Sequence, residues 1–144
     1  MGVGGRVVLW TFCGALGADL LTKAFAVGRV PVIYNDKPGE LARRLVMSLL
    51  AVAVVVLLTR LAAWRGIGRI WGAWIGVGLL VGGIAGNGVS RLIWARGVPD
   101  FIDMGRQMWN LADFMIGLGL TGGVVSIAVC AALAFTRERL APSA

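Results

Sequence analysis

From Ile70 to Val89 the chain runs twenty residues without a charge. At about 1.5 Å per helical residue such a run reaches about 30 Å, the thickness of bilayer hydrocarbon. Lipid offers backbone amides no partner, so the run has one economical form there, a helix whose hydrogen bonds close internally. Three more apolar runs flank it: Val7–Ala26, Leu45–Trp64, and a fourth from about Met108 to Thr136. With 58% of its 144 residues hydrophobic, the chain has far more apolar surface than a soluble domain of this size can bury. The expected fold is all-α: a four-transmembrane-helix bundle, one integral membrane domain over 1–144, with spans near 7–26, 45–64, 70–91 and 108–136.

Two readings of the first span compete with a retained helix. A secretory signal peptide ending at Ala24-Phe25-Ala26 would carry Asp19 and Lys23 before the cut, where such peptides avoid charge. A lipoprotein acceptor at Cys13 would follow Phe12, a side chain too large for that motif. Within the connection after this span, Val30-Pro31-Val32-Ile33-Tyr34 has the composition of a short strand, and Asn35–Gly39 that of a turn. Arg65–Arg69 leaves room only for a tight turn, which makes the second and third spans antiparallel neighbours. Glycines four apart in the third span, at 72 and 76 and at 78, 82 and 86, admit close helix–helix approach.

Several chemistries are excluded early. The chain has no histidine, which removes Ser–His and Cys–His catalysis and the usual zinc sites. Cys13 and Cys130 lie within apolar runs and read as free thiols. The net charge of +7 comes from 14 basic residues scattered at the ends of the spans, an ordinary membrane pattern rather than a nucleic-acid surface. No cofactor, no metal and no nucleic-acid partner is expected.

What polar chemistry the chain has is concentrated. Four antiparallel spans put the end of the first, the start of the second, the end of the third and the start of the fourth on one membrane face. Asp19 and Lys23, then Asn87, Ser90 and Arg91, then Asn110 and Asp113 all fall at those ends, each set at i, i+3 or i+4 on one side of its helix. Carboxylates at a membrane boundary are costly unless paired, hydrated or used. Three sets on one face mark a site. Read bottom-up, Asp19–Lys23 is an ion pair, Arg91 a snorkelling interfacial cation, and the asparagines interhelical hydrogen-bonding groups. Charge alone would put this face in the cytoplasm, since it carries eight basic residues against six opposite.

Four segments in order resemble the lipoprotein signal peptidases, four-span bacterial aspartic proteases. They are Asp19-Leu-Leu-Thr-Lys23, Gly82-Gly-Ile-Ala-Gly-Asn87-Gly-Val-Ser-Arg91, Val98-Pro-Asp100-Phe-Ile-Asp103 and Trp109-Asn110-Leu-Ala-Asp113. By position, the resemblance implies Asp100 and Asp113 as the catalytic pair, with Asp103 three residues on as the competitor of Asp100. It implies Asn87, Arg91 and Asn110 as substrate-binding residues, and Asp19 and Lys23 as structural support. It also implies cytoplasmic termini, a site at the extracytoplasmic face of the bacterial cell membrane, and a monomer. The partner would be a prolipoprotein with a lipidated cysteine, held at the lipid boundary. Three segments depart from the pattern: Ser90 stands where the family carries aspartate, Tyr34-Asn35-Asp36 is the nearest match to its N-x-G-x-A-F segment, and the interval from Asp100 to Asp113 is short. A non-catalytic relative kept as a membrane binding or scaffold protein is the alternative within the fold. A small proton-coupled transporter using Asp19, Asp100 and Asp113 is the alternative outside it, against which the absence of an inverted repeat counts.

Overall fold

The computed structural model describes residues 2–36, 38–65 and 70–140. Four helices carry the fold: α1 (Val3–Ala26), α2 (Pro38–Trp64), α3 (Trp71–Ile93) and α4 (Leu111–Leu140). Each contains a stretch long and apolar enough to cross a membrane, as the hydropathy pattern requires. Four short strands lie in the connections: β1 (Ile33–Asn35) after α1, and β2 (Val98–Asp100), β3 (Ile102–Asp103) and β4 (Met108–Trp109) between α3 and α4.

α3 is the central helix, packed against α1 on one side and α4 on the other. Its buried residues are mostly small, Gly76, Gly78, Gly82, Gly83, Gly86 and Ser90 among them, and smallness is what lets two helices reach it at once. The glycines divide between the two neighbours. A methyl group on Gly76 would stand 2.7 Å from the Gly119 carbonyl oxygen of α4, and one on Gly86 would strike the Asp19 carboxylate of α1. α1 meets α3 along Ala15, Asp19, Lys23 and Ala26, a single stripe at helical spacing. Val55, Val77 and Leu80 form the apolar centre where α2 reaches α3.

A destabilisation of about 1–3 kcal/mol is therefore expected for Gly86→Ala, the usual cost of forcing atoms into a packed interface. Gly117→Ala, whose new methyl meets nothing within 4 Å, should be neutral or slightly stabilising in the same thermal unfolding measurement.

The connections differ from expectation in instructive ways. The strand after α1 starts three residues later than the Val30–Tyr34 run and ends one residue later, and it pairs with β2, antiparallel, with Ile33 opposite Asp100 and Asn35 opposite Val98. Pairing with a strand more than sixty residues away cannot be read from local composition. Gly97 makes that pairing possible: its φ is +110°, and a side chain there would stand 2.8 Å from Asp36 Cβ. Pro38 begins α2 rather than closing a turn, consistent with proline's tolerance at a first helical position. The fourth span begins at Leu111 and not at Met108, because Met108 and Trp109 pair with Asp103 and Ile102 as strand β4. The 66–69 part of the expected Arg65–Arg69 turn, and residues 141–144 of the polar tail, lie outside the described residues.

Candidate active site

The site is built where β2 delivers Asp100 against the first turn of α4. Asn110 precedes that helix and Asp113 sits three residues on, and the two cap each other. The Asn110 backbone N–H donates to Asp113 Oδ2 at 3.0 Å, and the Asp113 N–H donates to Asn110 Oδ1 at 3.3 Å. This is a reciprocal capping arrangement with aspartate in the acidic position, so the N-x-x-D spacing has a structural reason of its own. Asn110 still has its amide NH2 to use, and that group donates to Asp100 Oδ1 at 2.5 Å. Asn110 thus touches both carboxylates.

Asp100 is 4% exposed, and its second oxygen accepts from Asn35 Nδ2 of β1 at 3.3 Å. Burial pushes its carboxyl above the ordinary carboxylate range, with the nearby Asp113 adding to the rise and the Asn110 and Asn35 amides and Lys23 opposing it. Asp103 has a different fate. It is exposed, and its side chain accepts the Gly105 N–H at 2.7 Å in the β3–β4 turn. Of the two acids three residues apart, Asp100 alone lines the cavity.

That cavity has a volume of about 430 Å3 and is walled by Asp100 and Asp113 together with Asn35, Asn87, Arg91 and Asn110. Apolar residues Met47, Ile84 and Ile116 complete it from α2, α3 and α4. Every candidate that the motifs singled out for catalysis or substrate binding therefore faces one space. Arg91 lines it while making an ion pair to Asp36 Oδ1 at 3.2 Å, a partially exposed contact.

Asp19 and Lys23 lie behind the cavity and not in it. Both are fully buried, and Lys23 Nζ uses all three protons: on Asp19 Oδ2 at 2.7 Å, Asn87 Oδ1 at 2.8 Å and Ser90 Oγ at 3.0 Å. The other Asp19 oxygen accepts the Ala112 N–H of α4 at 2.9 Å. A buried ammonium is tolerable only when its donors are met this completely. Ser90 faces Lys23, away from the cavity, and donates its own proton to the Gly86 carbonyl at 2.6 Å. Ser90→Ala should therefore cost about 1–3 kcal/mol in thermal unfolding, because it deprives a buried charged donor of its acceptor.

The model of the signal peptidase (SPase) II family matches residues 32–131, well over half of the chain. The chain belongs to the signal peptidase II family. A lipoprotein signal peptidase from Cyanothece sp. is similar, 46% identical over 48 residues, which cover 31% of this chain and 27% of that protein. The chain thus aligns with about a quarter of the length of that curated relative. No solved structure matches. The stretch matched to signal peptidase II contains every residue named above as lining the cavity, whereas Asp19 and Lys23 precede it.

Motif reasoning did not single out Asn35 for the site, though it noticed the Tyr34-Asn35-Asp36 segment. Asn35 donates to Asp100, and its Oδ1 is buried without a hydrogen-bond partner among the described residues. Asp36, the residue after it, holds Arg91. The available signal was a pair of polar residues directly following a strand-like run. What it lacked was the register that brings the strand beside β2.

Proposed function

We propose that this chain is an aspartic endopeptidase of the membrane boundary that removes signal peptides from diacylglyceryl-modified prolipoproteins. One observation carries the reading: in a member of the signal peptidase II family, Asp100 and Asp113 line the same cavity and are bridged by Asn110. Hydrolysis by such a pair needs one carboxyl protonated and the other ionised, and carboxyls that share a site do not ionise together readily. Asp100, the acid whose proton affinity burial raises, keeps the proton and polarises the scissile carbonyl. Asp113 removes a proton from the attacking water. The tetrahedral intermediate then collapses as the proton passes to the leaving nitrogen.

Substrate holding falls to Arg91 and to the free acceptor of Asn35. The Arg91 guanidinium suits substrate carbonyls or a lipid phosphate once Asp36 is displaced. Asn35 Oδ1 suits a substrate N–H beside Asp100. The apolar walls from Met47, Ile84 and Ile116 suit a substrate that arrives with its lipid. In this reading the protein is a monomer of the bacterial cytoplasmic membrane, its termini are cytoplasmic and its site opens at the outer face. The family's topology outweighs the eight-to-six charge count, because Arg91 and some other cations on that face have roles beyond orientation.

Purified protein in liposomes should cut a prolipoprotein carrying a diacylglyceryl cysteine and leave the unlipidated precursor intact. Failure to cut any lipidated precursor would overturn the assignment. The pH dependence has a definite sign. With Asp100 titrating above the ordinary carboxylate range, activity should persist above that range and fall as pH rises through its folded value. Asn35→Ala removes a donor to the ionised form of Asp100, so the alkaline limb of kcat should move to higher pH.

A further inference from the structure

The buried network contains a closed ring that the catalytic reading leaves unused. It starts at the Ala112 N–H of α4, passes through Asp19 and Lys23 of α1 and Asn87 of α3, and returns to α4 at Asp113. Ala112 and Asp113 are adjacent residues in the first turn of that helix. Asn87 is the member with a choice of orientation, since an amide can present either its oxygen or its NH2 to a neighbour. Lys23 removes the choice. An ammonium offers only donors, so Asn87 must turn its oxygen toward Nζ, and its NH2 is then aimed at Asp113 Oδ1, 3.1 Å away.

We propose that Lys23 and Asn87 form a single positioning unit for Asp113, in which the ammonium sets the amide and the amide sets the carboxylate. The proposal rests on the proteolytic reading for its kinetic consequence, though not for its geometry. It reassigns Asn87. Motif position made it a substrate-binding residue, yet its amide oxygen and one N–H of its NH2 are engaged by the protein. It also gives Ser90 a purpose. Its hydroxyl proton is committed to the Gly86 carbonyl, so toward Lys23 it is an acceptor only and adds no charge. Lys23 then has Asp19 as its one directly bonded carboxylate among the described residues, and its remaining proton is directed along Asn87 toward the site.

The test has two arms on the full chain in lipid nanodiscs. The first observes the Asn87 side-chain amide by nitrogen–proton NMR and needs no activity. In Lys23→Met, and in Asp113→Ala, the Asn87 NH2 should change shift and exchange with water about tenfold faster, the loss of one hydrogen bond. Lys23→Met strands a buried carboxylate, so Lys23→Met combined with Asp19→Asn keeps the site neutral should the single variant fail to fold. Unchanged Asn87 resonances in a folded Lys23 variant would overturn the proposal.

The second arm measures cleavage of the lipidated precursor. Asn87→Ala should lower kcat by about 10²-fold with KM unchanged, the expected cost of misplacing a reacting group. Adding the Lys23 change should lower it no further, since the two act in series. A raised KM at constant kcat would make Asn87 a substrate holder, and losses that multiply would make the two residues independent; either overturns the unit. If the unmodified chain cuts nothing, the protease reading falls, and the NMR arm still decides whether Lys23 sets the Asn87 amide.

Discussion

Asp100→Asn and Asp113→Asn are each expected to reduce cleavage of a lipidated precursor by at least about 10³-fold, the scale of a lost acid–base group. The two changes remove different halves of one proton exchange, so the double variant should be hardly worse than either single. Asparagine keeps the size of each side chain, and both positions retain contacts that hold the fold. At Asp113 the amide oxygen can still accept the Asn110 N–H, so the cap of α4 survives. At Asp100 the amide oxygen can still accept from Asn110 or Asn35. Thermal unfolding should therefore stay near that of the unmodified protein for Asp100→Asn, and stability should drop by about 1–3 kcal/mol for Asp113→Asn, whose new NH2 would face the NH2 of Asn87. Full loss of cleavage with an intact melting transition would identify the residues as chemical. Cleavage that survives both substitutions would remove the dyad from consideration. Asp103→Asn provides the comparison: an exposed acid occupied with the Gly105 N–H should change the rate little.

The second large effect is on stability. Asp19→Ala leaves Lys23 fully buried without its carboxylate and strips the Ala112 N–H of its acceptor. Breaking one side of a buried ion pair costs about 3–5 kcal/mol, because the remaining charge is uncompensated. The loss should appear as a lower midpoint in thermal or denaturant unfolding of the protein in detergent or lipid. Lys23→Met added to Asp19→Ala should recover part of it, since the stranded charge disappears with its partner. If Asp19→Ala melts like the unmodified protein, the ring is ornamental and α1 is held to α3 by the small-residue packing alone.

How much of this was legible beforehand follows from the range of each interaction. Four spans were readable because hydropathy over about twenty residues is a local property, and lipid leaves a chain little alternative to helix. Helix parity then brought Asp19, Lys23, Asn87, Asn110 and Asp113 to one end of the bundle, which the hydrogen bonds among them bear out. The 3.6-residue period also placed Asp19 and Lys23 on the stripe of α1 that faces α3. The start of α4 was missed by three residues, since apolar Met108 and Trp109 suit a strand as well as a helix and a distant partner decides between them.

By itself, then, the order of residues determined the membrane class, the number of spans, the end at which polar groups gather and the family. Hydropathy, periodicity and short motifs are all written along the chain, and no partner is needed to read them. Only the tertiary structure decided what each polar group touches. The β1–β2 register brought Asn35 to Asp100 and put Asp36 on Arg91, across more than fifty residues of sequence. The packing of α1 and α4 against α3 turned Ser90 away from the cavity toward Lys23, and set Asn87 between an ammonium and a carboxylate. Motifs name residue types at positions, whereas a hydrogen bond depends on a few tenths of an ångström and on direction. Those are set only when the helices close on one another.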